Sequence, residues 1–209
     1  MSRKRVAVLI SGRGSNMMAL IEAAKAKDYP AEIALVVSNR PEAPGLARAR
    51  EQDVATTVVD HAQFGDDREA FERALDAKLR AHRIDLVCLA GFMRLLTPWF
   101  VRRWSGRMLN IHPALLPQFK GLHTHRRALE AGVKRHGATV HFVVPEMDAG
   151  PILAQDWVAV REGDTEETLA ARVLEVEHRL YPRALRALAE GRANLKRSAE
   201  EDGTAASGT

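Results

Sequence analysis

Short, continuously apolar runs alternate along this chain with stretches whose apolar residues recur at helical spacing, and no other feature restricts its fold so tightly. The runs cover 6–10, 33–38, 56–60 and 84–90, and the helical patterns cover 15–27, 44–51 and 67–82. In the last of these, Phe71, Ala74, Leu75 and Leu79 fall on one stripe. Strands without a polar face must be covered on both sides, as in a parallel sheet flanked by helices. Right-handed crossovers distribute those helices over both faces. The expected fold class is therefore α/β: a doubly wound, mainly parallel twisted sheet with helices on both faces, Rossmann-like and nucleotide-binding-like in its first half.

After Gly91 the rhythm changes. A short helix is expected over 98–104, a strand over 108–112, and a mobile loop over the Pro-, Gly- and His-rich stretch 113–125. Strand-like segments 137–144 and 152–160 are joined by the turn residues of PEMDAGP. A last helix runs from about Thr165 toward Ala189, capped by Asp164 or Thr165, with Glu166 and Glu167 suited to its positive end. Pro182 is expected to kink or break it.

With 209 residues, 46% hydrophobic and 28% charged, the chain can bury one domain, expected over 1–190. The segment 191–209 is almost devoid of apolar residues and is expected to be a disordered tail. No apolar run approaches the roughly 18–20 residues that cross a bilayer. Only five apolar residues follow MSRKR, too few for a secretory signal, so a cytoplasmic protein is expected. The lone Cys88, inside LVCLA, reads as a small buried hydrophobe, which sets aside disulfides and cysteine zinc sites. The net charge of +4 is interleaved rather than clustered, and aromatics make up only 5%, so nucleic acid is a poor partner and a phosphorylated small molecule an adequate one.

Three groups of residues could carry chemistry. Ser11-Gly12-Arg13-Gly14-Ser15-Asn16 follows the first strand and opens the first helix, where free N–H groups and the helix dipole favour a phosphate. Met17 stands where a dinucleotide fingerprint needs glycine, and no Walker Gly-Lys-Ser/Thr follows. Phosphate binding and a plain turn capped by Ser15 both stay open on this segment alone. Asn110 and His112 lie two apart in a strand, so they share a face while Ile111 points into the core. Pro113 keeps His112 extended. An amide donor beside an imidazole is what oxyanion stabilisation with proton handling requires. Asp148, in the PEMDAGP turn, could orient that imidazole if the turn aims it back at the sheet, although Asp is common in turns for local reasons.

Other residues carry less. His123 and His125 lack the partners of a metal site, and no metal is expected. Thr139 and His141 share a strand face and could line the same cleft or be structural. His61, His82, His136 and His178 read as solvated positions, and Arg102, Arg103, Arg126 and Arg127 as helix surface.

Taken in order over about 6–182, the segments ISGRGSN, AGFMRLLTP, LNIHPALLPQFKGLHTHRRAL, HGATVHFV and MDAGPI resemble the folate-dependent phosphoribosylglycinamide formyltransferases of de novo purine biosynthesis. The resemblance implies transfer of the formyl group of 10-formyltetrahydrofolate, a co-substrate, to the amine of 5-phosphoribosylglycinamide. It implies small-molecule partners only, no membrane and a monomer or homodimer. It assigns catalysis to Asn110, His112 and Asp148: Asn110 as donor to the formyl oxygen, His112 as imidazolium, and Asp148 as the group that keeps His112 charged and oriented. Gly14, Ser15, Asn16 and Glu177 would hold the ribonucleotide. Arg68, Met93, Arg94, Leu95, Leu96, Val144, Pro145, Glu146 and Met147 would line the folate site, together with Asn110 and Asp148. Leu174 stands where relatives often carry a polar side chain.

Two related activities compete. A formyltetrahydrofolate deformylase would use a similar Asn, His and Asp set on water, but normally carries an N-terminal regulatory domain. A methionyl-tRNA formyltransferase would carry a C-terminal tRNA-contacting domain. A third reading is a non-catalytic binding protein for a phosphoribosyl ligand.

Overall fold

A computed structural model describes residues 2–195. Its strands are β1 (Lys4–Ile10), β2 (Ala31–Ser38), β3 (Thr56–Val58), β4 (Leu86–Leu89), β5 (Met108–His112), β6 (Arg135–Phe142) and β7 (Ile152–Ala159). They form one seven-stranded sheet in the order β3-β2-β1-β4-β5-β6-β7. Pairing is parallel from β3 through β5 and antiparallel for β5–β6 and β6–β7. The chain winds outward from β1 to β3, then returns to lay β4 on the other side of β1. Crevices at such a reversal, beyond the carboxyl ends of the strands, are where open α/β sheets bind ligands.

The helices are α1 (Ser15–Ala24), α2 (Pro44–Arg50), α3 (Arg68–Ala81), α4 (Pro98–Arg103), α5 (Thr124–Glu130) and α6 (Glu166–Ala189). They cover both faces, as the continuously apolar strands require. Val6, Val8 and Ile10 of β1 join Leu109, Ile111 and Val140 under α1 and α6. Ala7 and Leu9 point the other way and pack with Phe71, Leu75, Leu79, Phe100 and Trp104 of the α3–α4 layer. Asp67 caps α3 by accepting from Ala70 N–H at 2.9 Å.

The last helix differs from expectation at its middle. Of the two possible caps, Thr165 is the one used: its hydroxyl accepts from Thr168 N–H, and the Thr168 hydroxyl accepts from Thr165 N–H. The helix then runs unbroken through Pro182. Leu180, Tyr181, Ala184 and Leu185 are buried on either side of the proline, so packing outweighs the lost helical hydrogen bond. Tyr181 sends its hydroxyl across the sheet to Leu89 O at 3.0 Å and Leu109 O at 3.1 Å, tying α6 to two adjacent strands.

The stretch 113–125 is irregular up to α5, which begins at Thr124. Thr124 is buried and donates to Pro113 O at 2.7 Å. His136, expected to be solvated, is fully buried on β6, with its Nε2 3.2 Å from His125 Nδ1. The tail expected over 191–209 lies outside the described residues from 196 onward. Within them, Leu195 packs against the α1–α6 core and anchors a segment that looked unanchored.

Two outcomes are expected. Tyr181→Phe leaves both carbonyls without their shared donor and lowers stability by about 1–2 kcal/mol, read as a fall in Tm of ~2–8 °C. Burial holds the His136 imidazole down to about 4, with the neighbouring His125 adding to the effect. Near neutrality the group is neutral in both states and costs nothing. As pH falls from ~6.5, the unfolded chain takes up a proton that the folded protein refuses, so stability is lost progressively toward pH 4. His136→Gln is expected to flatten the Tm profile between pH 7 and 4.5; a profile parallel to the parent's would refute the assignment.

Candidate active site

Met108, Asn110 and His112 form one line along β5. Met108 is buried in the α3–α4 core, and the line continues past that core through Asn110 and His112. Across the antiparallel pair, Asn110 faces His141 and His112 faces Thr139, which brings four polar side chains to one patch of sheet. Thr139 serves structure there: its hydroxyl donates to Ala114 O at 2.7 Å and accepts from Leu116 N–H at 3.1 Å, fixing the start of the 113–123 segment.

Asp148 reaches the patch from the β6–β7 turn. Its backbone is left-handed (φ 49°), and two residues later Gly150 passes so near β6 that a Cβ would lie 1.7 Å from Phe142 O. Only glycine permits that approach, and it turns the Asp148 carboxylate back over β5 and β6. Oδ2 lies 3.5 Å from His112 Nδ1 and accepts from Gly121 N–H at 2.9 Å; Oδ1 lies 3.7 Å from His141 Nε2. His112 Nε2–H donates to Phe119 O at 2.9 Å, so both nitrogens of this buried ring face oxygens.

His141 has a defined tautomer. Its Nδ1–H donates to Phe142 O at 2.9 Å, and Nε2 is 3.2 Å from Asn110 Nδ2, whose N–H it accepts. Burial pushes its pKa down, in keeping with a neutral ring. One N–H of the Asn110 amide is thereby occupied and the other is free for a ligand oxygen.

The glycine segment builds the second part of the site. Gly14, in the left-handed region at φ 69°, occupies the N-cap of α1, so Ser15 is the first helical residue and not the cap. No acidic side chain occupies the first turn of α1. Gly45 of α2 packs against the turn and donates to Gly12 O at 3.0 Å; a Cβ there would stand 2.9 Å from that oxygen. A cleft of about 250 Å³ opens above the turn, lined by its residues, by Arg40 and by Gly91 and Met93. Asn16 Nδ2 donates to Glu177 of α6, whose carboxyl is held above its usual range by burial, with the Asn16 bond opposing.

The segment 91–97, between β4 and α4, exposes Met93 and Leu95 (63% and 60%), turns Leu96 against the α3–α4 core and sets the Arg94 guanidinium 5.9 Å from the Phe71 ring centre. Met147 and Leu122 are exposed as well, and Met147 Cε lies 3.8 Å from where a Cβ of Gly121 would be. Exposed apolar side chains grouped beside buried polar ones mark a binding surface. Arg68 opens α3, and Val144, Pro145, Glu146 and Met147 lead into the Asp148 turn.

The structure thus brings Asn110, His112 and Asp148 together and places Asn16 against Glu177. Outside the expected set, it adds His141, and the backbones of Phe119 and Gly121 as partners of His112 and Asp148. The two-residue spacing of Thr139 and His141 was the available sign for His141; nothing local marks the two backbone groups. Among the described residues, no helix is long and apolar enough to cross a membrane, and no cluster of three or more His, Cys, Asp or Glu is placed to hold a metal ion.

Comparison with known proteins places the chain in a family. Residues 4–185 match the formyl transferase family. A phosphoribosylglycinamide formyltransferase of Escherichia coli is 46% identical over 194 residues, covering 93% of this chain and 91% of that protein. The trifunctional purine biosynthetic protein adenosine-3 of Gallus gallus is 50% identical over 190 residues, but the chain spans only 19% of its length. The crystal structure of a phosphoribosylglycinamide formyltransferase from Brucella melitensis superposes with a TM-score of 0.87 at 55% identity, covering 90% of this chain and 96% of that one. A formyltetrahydrofolate deformylase from Pseudomonas syringae gives a TM-score of 0.84 at 30% identity, with 91% of this chain but 63% of that one covered. The chain belongs to the formyl transferase family.

Proposed function

We propose that this protein transfers the formyl group of 10-formyltetrahydrofolate to the amine of 5-phosphoribosylglycinamide, giving formylglycinamide ribonucleotide and tetrahydrofolate. The observation that carries the reading is the convergence of Asn110, His112 and Asp148 on one sheet whose β1 leads into the open, acid-free N-terminus of α1. The names of the Escherichia coli and Brucella melitensis relatives support the choice of acceptor.

The chemistry follows from charge. As the acceptor amine attacks the formyl carbon, negative charge grows on the formyl oxygen and positive charge on the nitrogen. The free N–H of Asn110 suits the oxygen, and neutral His141 holds the amide through its other N–H. His112 would stabilise the same oxygen and supply a proton once its Nε2–H is released from Phe119 O, with the Asp148 carboxylate beside Nδ1 compensating charge on the ring. The proton released by the amine must reach the departing folate nitrogen. The nucleophile is the substrate amine, so no covalent bond to the protein forms. Gly14, Ser15 and Asn16 would hold the phosphate with main-chain N–H groups and the α1 dipole, and Glu177 the ribose or amide. Met93, Leu95 and Met147 offer apolar surface to the pterin, with Arg94, Leu96, Val144, Pro145 and Glu146 beside it, and Arg68 would offer charge to the glutamate tail.

The test supplies 10-formyltetrahydrofolate with and without the ribonucleotide and follows both tetrahydrofolate and formate. Acceptor-dependent tetrahydrofolate release without formate is expected. Formate released without acceptor would make the protein a deformylase, and ligand binding without turnover would make it a binding protein. His112→Ala and Asp148→Asn are each expected to lower kcat by about 10²–10⁴-fold while tetrahydrofolate still raises the Tm; near-normal turnover in either would refute the assigned roles.

A further inference from the structure

The segment 91–97 has no helix or strand of its own, yet it carries the apolar wall of the proposed folate site. Two contacts from outside the segment hold its backbone. At the far end, Thr97 N–H donates to Glu72 Oε1 at 2.6 Å and the Thr97 hydroxyl donates to Glu72 Oε2; Glu72 is buried on α3. At the near end, Met93 N–H donates to Ser11 Oγ at 2.8 Å. Ser11 in turn donates to Asn39 Oδ1 at 2.5 Å, so its hydroxyl is oriented by a second buried residue and its lone pairs are left for Met93.

Ser11 is also the first residue of the glycine turn, and it lines the same cleft as Gly14, Ser15, Asn16 and Met93. One hydroxyl oxygen therefore joins the phosphate-facing turn to the folate-facing segment, across 82 residues of sequence. Without it, Met93 N–H would lose its protein acceptor, and the exposed Met93 and Leu95 end of the segment would be held chiefly through Phe92 and Leu96, which pack on the α3–α4 core.

We propose that Ser11 is a positioning residue for the folate, acting through Met93, with Glu72 and Thr97 fixing the opposite end of the same segment. The inference rests on the formyl transfer reading. It predicts that the hydroxyl matters to the folate more than to the ribonucleotide, because Ser11→Ala keeps every main-chain N–H of the turn.

The experiment measures steady-state kinetics and Tm for the parent, Ser11→Ala, Ser11→Thr and Thr97→Val. In Ser11→Ala and Thr97→Val, KM for 10-formyltetrahydrofolate is expected to rise about five- to tenfold, while kcat and KM for the ribonucleotide stay within about twofold. Ser11→Thr, which keeps the hydroxyl, is expected to restore much of the folate KM. An unchanged folate KM in Ser11→Ala overturns the proposal, as does an equal rise in both KM values with a lowered Tm, the mark of general loosening. Should Ser11→Ala fail to fold, Ser11→Gly, which also lacks the hydroxyl, takes its place. A parent protein that transfers formyl groups while the variants behave normally removes only this inference. A parent that neither transfers formyl nor binds tetrahydrofolate removes the functional reading and this inference with it.

Discussion

The Asp148 carboxylate, nearly enclosed, accepts Gly121 N–H and has His112 and His141 on either side. A carboxylate taken out of water costs several kcal/mol unless it is hydrogen-bonded and its charge is matched. Here the compensation comes from segments far apart in the chain: the end of β5, which brings His112, and the irregular stretch before α5, which brings Gly121 N–H. Neither could be displaced without leaving the carboxylate short of a partner. That shared dependence is what makes a set of short, separately weak contacts behave as one unit.

The scaffold delivers these groups by changing strand direction. Parallel pairing from β3 to β5 creates the reversal beside β1 where the glycine turn opens α1. The switch to antiparallel pairing at β6 lets a neighbouring strand present His141 directly opposite Asn110, and it returns the chain through the turn that carries Asp148. Tyr181 joins the two halves mechanically, since its hydroxyl holds the main chain of β4, which leads into the 91–97 segment, and that of β5, which carries Asn110.

The parts of this arrangement that were legible in the sequence are those set by local periodicity. Uniformly apolar runs announced the buried parallel strands, and the two-residue spacing placed Asn110 and His112 on one face. Asp148 was harder, because an aspartate in a turn looks the same whether it bonds its own backbone or a histidine across the sheet. His136 and Pro182 misled for a related reason: a lone histidine carries no sign of its own burial, and the packing around Tyr181 that keeps α6 continuous comes from strands distant in sequence. The hydroxyl of Ser11 was invisible, since its partner lies on another loop and serine is ordinary in a glycine-rich turn.

Gly150 shows how a position can be indispensable without touching a ligand. The volume beside Phe142 O is occupied by main chain alone, and the placement of the neighbouring carboxylate depends on that volume staying free of a methyl group. A mutational scan scored only on turnover would therefore rank Gly150 alongside the side chains that handle protons. The corner beneath the turn works as a spacer, since a side chain there would drive its first carbon into the main chain of β6, 1.7 Å from Phe142 O.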